Sequence, residues 1–210
     1  MPQFFMPSKN QMSPLAQDYS EIARYLGYQK ISVPDEQVSA LIKTAADEML
    51  DFIQPQSVYE DFDLSVEYDE EKGLGSVAFS DVKIESKDLA RNLRECSRVV
   101  LFAATLGAQC DQLIRRAQVK DQTKAAVFQA TGAMYIEKCV DLLNEKIKEE
   151  AAALGKSTRP RFSPGYGDLS LQVQKSFFRL LPCQRIGLTL MDTLIMSPEK
   201  SVTAFVGVIG

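Results

Sequence analysis

Histidine and tryptophan are both absent from the 210 residues of this chain. Without histidine, the chain cannot build a Ser-His-Asp or Cys-His catalytic group of the usual kind. It also cannot supply the imidazole ligands that most zinc sites and many iron sites use. Catalysis that depends on a histidine base, or on a histidine-bound metal, is therefore excluded.

Paired cysteines and long apolar runs are missing as well. The four cysteines contain no Cys-x-x-Cys pair, and we expect Cys110 and Cys139 to pack as small apolar residues within helices. The longest apolar run, Val99 to Ala108, is too short to cross a bilayer. The apolar stretch at residues 1–7 is too short for a signal peptide. We expect a cytoplasmic protein that has no membrane partner.

Strong charge of either sign is also lacking. The formal net charge is −4, the pI is about 5.1, and charged residues make up 25% of the chain. Basic residues are scattered, and Arg115-Arg116 is best explained as part of a solvated helix face. Nothing in this distribution favours binding to nucleic acid.

The pattern of apolar residues predicts an α+β fold. Strand-like segments are grouped and do not alternate strictly with helices, which favours a twisted antiparallel or mixed sheet with flanking long helices. The length allows one sizeable domain or at most two small ones, and we predict a single domain over 1–210 with residues 1–14 as an extended N-terminal arm. Helices are predicted near 17–26, 34–53, 87–93, 108–117, 121–154 and 169–181, with Asp168 as a candidate cap of the last. Strands are predicted within 57–82 and near 99–105, 186–190, 194–196 and 202–209.

The loop at residues 161–166 is the most informative feature that is present. Ser163-Pro164-Gly165-Tyr166 has the form of a type II turn, with proline second and glycine third. Gly165 can adopt positive φ and lets a ligand approach the backbone. Arg161 precedes this turn, and its planar guanidinium suits a carboxylate. The loop is therefore a candidate clamp for a small molecule.

Three segments resemble the activation (reactivation) domain of cobalamin-dependent methionine synthase. The segment 161–166 matches the family's Arg-x-x-Pro-Gly-Tyr, and the acidic series Glu137, Asp141 and Glu145 recurs every four residues on the long predicted helix. The third segment, residues 187–203, matches a Gly-x-x-Leu-x-acidic-hydroxyl pattern followed by Met-x-Pro-x-x-Ser-Val. Residues 103–107 also look like stand-alone relatives of this domain.

The resemblance implies a domain that binds S-adenosylmethionine over a twisted antiparallel sheet. In this family, the domain presents that methyl donor to an oxidised cobalamin while a flavodoxin-like protein supplies one electron. Since the chain has no histidine to offer the cobalt, a partner protein would carry the cofactor. That partner would be a corrinoid-binding methionine synthase or another corrinoid methyltransferase, on which this chain acts in trans. No metal site and no catalytic nucleophile of its own are expected.

The resemblance also implies which residues bind the ligand, although each has a plainer interpretation. Arg161 would hold the carboxylate or form a structural salt bridge, and Glu137 would face the ammonium or sulfonium or simply cover a helix surface. Ser163 and Gly165 would offer backbone contacts or only form a turn. Tyr166 would pack on the ligand or on the core.

Two other functions remain open. The position six residues before Arg161 is Gly155, where the family has an acidic residue. The chain could therefore be a docking module for a corrinoid protein that has lost S-adenosylmethionine binding. A methyltransferase that acts on a small nucleophile is the weaker alternative, because no Gly-rich nucleotide-binding loop follows a strand.

Overall fold

The computed structural model describes residues 1–29 and 32–210. Three helices begin at a capping residue whose side chain accepts a backbone hydrogen bond. The pairs are Asp35 with the Val38 amide, Ser86 with the Leu89 amide and Asp121 with the Lys124 amide. The helices are α1 (Lys9–Met12), α2 (Ala16–Tyr25), α3 (Glu36–Leu50), α4 (Lys87–Leu93), α5 (Ala108–Lys120), α6 (Gln122–Ala153) and α7 (Gln174–Leu180). The strands are β1 (Gln3–Phe5), β2 (Gln56–Asp69), β3 (Leu74–Phe79), β4 (Val82–Glu85), β5 (Cys96–Thr105), β6 (Ser157–Thr158), β7 (Thr189–Leu190), β8 (Met196–Ser197) and β9 (Ser201–Ile209).

One sheet organises the molecule, in the order β4-β3-β2-β5-β9-β6, with β1 added beside the first half of β2. Every pairing found in the described residues is antiparallel. β7 and β8 form a separate two-stranded ribbon. The predicted α+β class with an antiparallel sheet is confirmed.

Both faces of the central strands are buried, which explains why β5 and β9 are almost continuously apolar. On β9, Ala204 and Val206 face one core together with α2, α3, α5 and α6. Phe205 faces a second core together with α4 and α7. The alternation of side chains along β9 therefore assigns each residue to one side of the sheet.

Local signals placed most elements correctly. β2 and β3 form the predicted hairpin around 69–75, and the helix predicted over 121–154 spans Gln122–Ala153. Cys110 and Cys139 are buried on helices, as expected. Of the helices within the described ranges, none is both long enough and apolar enough to cross a bilayer.

Several segments differ from their predicted structure. The strands predicted near 186–190 and 194–196 have only two residues each, Thr189–Leu190 and Met196–Ser197, and Ile186 ends a 3-10 turn. The helix predicted over 169–181 begins only at Gln174, after a short 3-10 turn at Leu171–Val173. The N-terminal arm is extended at Gln3–Phe5, where it pairs with β2, but it forms a helical turn at Lys9–Met12. The assignment of residues 1–210 to a single domain stays a prediction.

Asp168 was predicted to cap the helix that follows it, and this was wrong. Its carboxylate accepts hydrogen bonds from the Ser86 hydroxyl, from the Lys87 amide at 2.7 Å and from the Asp88 amide at 3.2 Å. Free amide groups at a helix start attract a carboxylate, and those of α4 lie beside Asp168 in space. Asp168 therefore ties the loop after residue 166 to the start of α4.

We expect Asp168→Ala to lower the free energy of unfolding by about 1–2 kcal/mol near neutral pH, because α4 loses its capping carboxylate. Burial alone would raise the pKa of Asp168, but the bonds from Ser86 and Lys87 outweigh it and lower that pKa. The stabilisation is thus present above the unfolded pKa of about 3.9 and is lost as pH falls through the lower folded value. Urea unfolding at several pH values measures this.

The exposed Asp192 provides the matched control for that measurement. Asp192→Ala should change stability little at any pH. A deficit of Asp168→Ala that persists unchanged below pH 2 would contradict the capping interpretation.

Candidate ligand-binding site

The chain after β6 runs along the edge of β9 and is held there by backbone bonds. The Arg159 amide donates to the Gly207 carbonyl at 2.9 Å, and Phe162 and Phe205 exchange bonds of 2.9 and 2.8 Å. The turn then forms as predicted, because the Tyr166 amide donates to the Ser163 carbonyl at 3.2 Å. Gly165 has φ of +92°, the value that a type II turn requires at its third position.

Arg161 points to the α6 side of the sheet, opposite to its neighbour Phe162. Its Nη2 lies 2.7 Å from Oε2 of Glu137, and its Nη1 lies 2.6 Å from Oδ1 of Asp141. These carboxylates lie four residues apart on α6 and therefore on the same helix face. The side chain of Arg161 is 30% exposed. The guanidinium is thus half-buried between two acidic groups.

The charge state of Arg161 is secured by this pairing. Burial alone would lower the pKa of Arg161, but the hydrogen bonds and charges of Asp141 and Glu137 outweigh it and raise that pKa. The guanidinium therefore remains cationic at neutral pH. Glu145, the third member of the predicted acidic series, pairs with Lys148 at 3.4 Å and does not contact Arg161.

A cavity of about 350 Å³ opens at this edge of the sheet. Four of the five predicted binding residues line it, namely Glu137, Arg161, Ser163 and Tyr166. Tyr166 is 68% exposed and therefore does not pack in the core. Gly165 is not part of the lining, and a side chain there would meet Leu171 at 3.5 Å. The lining consists of Glu137, Arg161, Phe162, Ser163, Pro164, Tyr166, Gln174, Met196, Ser201, Val202 and Thr203.

Comparisons with known proteins give one kind of match. No family model matches the chain, and no curated protein is similar to it in sequence. A solved structure, the crystal structure of the MetH reactivation domain bound to AdoHcy, is similar with a TM-score of 0.65 and 17% sequence identity. The match covers 99% of this chain and 78% of that chain.

This chain has the fold of the MetH reactivation domain. At this level of identity the likeness concerns the path of the backbone, and it agrees with the fold that the three sequence segments implied. Which residues of a reactivation-domain fold bind a ligand in this chain remains a prediction.

Sequence reasoning did not assign three polar residues of the cavity, Gln174, Ser201 and Thr203, to the binding site. Gln174 is 6% exposed and Thr203 is 2% exposed, and neither Oε1 of Gln174 nor Oγ1 of Thr203 has a hydrogen-bond partner. A buried oxygen without a partner costs about 1–3 kcal/mol. Thr203 ends the third segment that resembles the family, so the sequence did indicate its importance. No matching segment includes Gln174.

Other residues of that segment lie outside the cavity. Asp192 and Thr193 sit in an exposed turn between β7 and β8, and they do not line it. Ser201 does line it, and its hydroxyl donates to the Pro198 carbonyl at 2.7 Å. The segment therefore contributes to the cavity through its last three residues and Met196.

Proposed function

We propose that this chain binds S-adenosylmethionine in the cavity beside Arg161 and assists reductive methylation of a corrinoid held by a partner protein. One observation carries the proposal. Glu137 of α6 meets Arg161, Ser163 and Tyr166 of the 161–166 loop at one cavity, although the helix position and the loop lie more than 20 residues apart in the chain. They do so in a fold whose solved relative, the MetH reactivation domain, is bound to AdoHcy.

The charges around the cavity suit this ligand. Arg161 with Glu137 and Asp141 carries a net charge of −1, whereas S-adenosylmethionine carries one carboxylate, one ammonium and one sulfonium. In the proposed complex, Arg161 holds the carboxylate and Glu137 faces the ammonium or sulfonium, since opposite charges attract at close range. Ser163 offers backbone groups, Gly165 forms the turn that places them, and Tyr166 packs on the ligand.

The role of the chain is then to hold and orient the methyl donor, which is catalysis by proximity. The reduced corrinoid of the partner, a methionine synthase or another corrinoid methyltransferase acting in trans, would supply the nucleophile, with one electron from a flavodoxin-like donor and S-adenosylhomocysteine as product. The four cysteines are free and buried, which suits the reducing cytoplasm in which we place this reaction.

Calorimetric titration with S-adenosylmethionine tests the proposal. We expect Arg161→Ala to weaken binding about 10- to 100-fold, because a charged hydrogen bond to the ligand carboxylate is lost. Arg159→Ala is the matched control: Arg159 is also 30% exposed, lies on the same segment and pairs with Glu95 outside the cavity. It should bind like the wild type. Absence of binding by the wild type at millimolar ligand would overturn the proposal.

A second candidate function rests on the pairing of Arg161. Both terminal nitrogens of its guanidinium already bind carboxylates of the chain, so no ligand is needed to satisfy it. The domain could then be a docking module that covers a corrinoid protein without a methyl donor. Recovery of a purified corrinoid methyltransferase in pull-downs, equal with and without S-adenosylmethionine, would favour this candidate over the first.

A further inference from the structure

The turn at 163–166 continues directly into a second turn. The Gly165 amide donates to the Leu169 carbonyl at 2.9 Å, and the Leu169 amide donates to the Tyr166 carbonyl at 3.0 Å. Leu169 is 2% exposed and packs in the same core as the apolar residues of α4. Because the two turns share these bonds, whatever holds residues 167–169 in place also holds the turn at 163–166.

Two aspartates join this second turn to α4, and each binds the backbone of the other. The Asp88 amide donates to Oδ1 of Asp168 at 3.2 Å, and the Asp168 amide donates to Oδ2 of Asp88 at 3.3 Å. The carboxylate of Asp168 also accepts bonds from Ser86 and Lys87, as described above. Since bonds run in both directions, the Asp88–Asp168 pair fixes the loop against α4 in position and in orientation.

Gly167 lies inside this contact and leaves room for it. Its φ is +54°, and a Cβ atom built there would lie 2.3 Å from Oδ2 of Asp88. Any larger residue would therefore have to displace the carboxylate that binds the Asp168 amide. Neither Asp88 nor Gly167 lines the cavity. The close approach at Gly167 thus serves the contact between the loop and α4, outside the cavity.

We propose that Asp88 and Gly167 are positioning residues, which keep the turn at 163–166 in the conformation that binds S-adenosylmethionine. The inference rests on the proposed function and adds a control of affinity from α4. If only a fraction of the molecules has the binding conformation, the measured dissociation constant rises by the inverse of that fraction. The Asp88–Asp168 pair keeps this fraction close to one in the free protein.

Substitution of Asp88 tests the pair through one hydrogen bond. We expect Asp88→Ala to weaken S-adenosylmethionine binding about three- to tenfold in calorimetry, because the turn then spends part of its time in other conformations. Asp88→Asn keeps an oxygen that can accept the bond and should bind within about twofold of the wild type. Arg91→Ala is the matched control. It removes the other partner of Asp88, whose Oδ1 lies 2.8 Å from Nη2 of Arg91, and should leave affinity unchanged.

Substitution of Gly167 tests the same contact from the other side. We expect Gly167→Ala to weaken binding about tenfold or more, because the new methyl group displaces the Asp88 carboxylate. Gly155→Ala is its control: φ there is +72°, and the new methyl group would meet no atom of the described residues within 4 Å. A double variant, Gly167→Ala with Asp88→Ala, should bind like Asp88→Ala alone, since no carboxylate remains to clash. Additive losses would contradict a shared contact.

Hydrogen exchange without ligand distinguishes positioning from a purely structural role. In Asp88→Ala, the amides of Gly165 and Tyr166 should exchange about threefold faster or more, because their bonds within the loop open more often. In Arg91→Ala they should exchange as in the wild type. Saturating S-adenosylmethionine should restore their protection in Asp88→Ala. The measurements are made at a temperature at which unfolding curves show every variant to be folded.

The outcomes separate this inference from the proposed function. If the wild type does not bind S-adenosylmethionine, both are overturned. If the wild type binds but Asp88→Ala has normal affinity, or normal exchange at Gly165 and Tyr166, the positioning role alone is overturned. Should Gly167→Ala fail to fold, Asp88→Ala and Arg91→Ala decide the matter without it. Weaker binding and faster exchange in Asp88→Ala, with normal values in Arg91→Ala, establish the role.

Discussion

Glu137→Lys is expected to weaken S-adenosylmethionine binding by about 100-fold or more. Glu137 lines the cavity and lies 2.7 Å from Arg161, so a lysine there replaces the anion that would face the cationic groups of the ligand. At about 4 Å, each pair of unit charges is worth about 1–4 kcal/mol between bulk water and a protein surface. Exchanging attraction for repulsion doubles that difference, which is why the expected loss is large. Calorimetry against S-adenosylmethionine measures it.

Two further variants make this prediction specific to the site. Glu149→Lys changes the charge of the same helix by the same amount at an exposed position, and it should leave affinity nearly unchanged at physiological salt. Glu137→Gln removes the charge without reversing it and should fall between wild type and Glu137→Lys. Equal losses in Glu137→Lys and Glu149→Lys would show a general effect of net charge and contradict a direct contact.

Phe205→Ala is expected to lower the free energy of unfolding by about 3–5 kcal/mol. The side chain is fully buried, and its ring centroid lies 4.7 Å from that of Phe177 and 5.7 Å from that of Phe79, in edge-to-face arrangements. Removal of the ring leaves a cavity where β9, α7 and β3 meet. Urea or thermal unfolding at pH 7 measures the loss.

Phe205 also has a bearing on the candidate site, because its backbone holds Phe162 at the edge of β9. Phe62→Ala is the control, since Phe62 is only partly buried and its ring lies 6.2 Å from that of Phe79. We expect Phe62→Ala to cost clearly less, and Phe205→Leu to recover much of the lost stability. If Phe205→Ala lowers the free energy of unfolding by less than about 1 kcal/mol, the contact between the rings of Phe205 and Phe177 does not hold α7 on the sheet.

The sequence was a good guide wherever the signal was local. The turn at 163–166 forms as predicted because Pro164 fixes its own φ and Gly165 permits the positive φ of the third position, whatever surrounds them. Ser86 caps α4 for the same reason, through a bond to Leu89 only three residues away. The pairing of Arg161 with Glu137 joins distant segments. The family resemblance implied that both residues contact one ligand, but it did not predict that they pair with each other.

Contacts that depend on the whole fold were not predictable in this way. Asp168 has the sequence position of a cap for the helix after it, but the free amides of α4 lie nearer in space. Gln174 lines the cavity from the first position of α7, which begins five residues later than its apolar pattern indicated. The burial of Thr203 required the register of β9, which pairs on one side with β5 and on the other with β6 and the bridge at Phe162.

The sharing of one guanidinium between Glu137 and Asp141 affects which ions can bind Arg161. Chloride or sulfate would have to displace one of these two carboxylates before it could bind Arg161, so simple anions should bind there weakly. A zwitterion is different, because its ammonium can take over the evicted group while its carboxylate occupies the arginine. Binding of a zwitterion would then replace one set of ion pairs by another and leave the number of hydrogen bonds nearly unchanged. The binding enthalpy should therefore be small relative to the affinity.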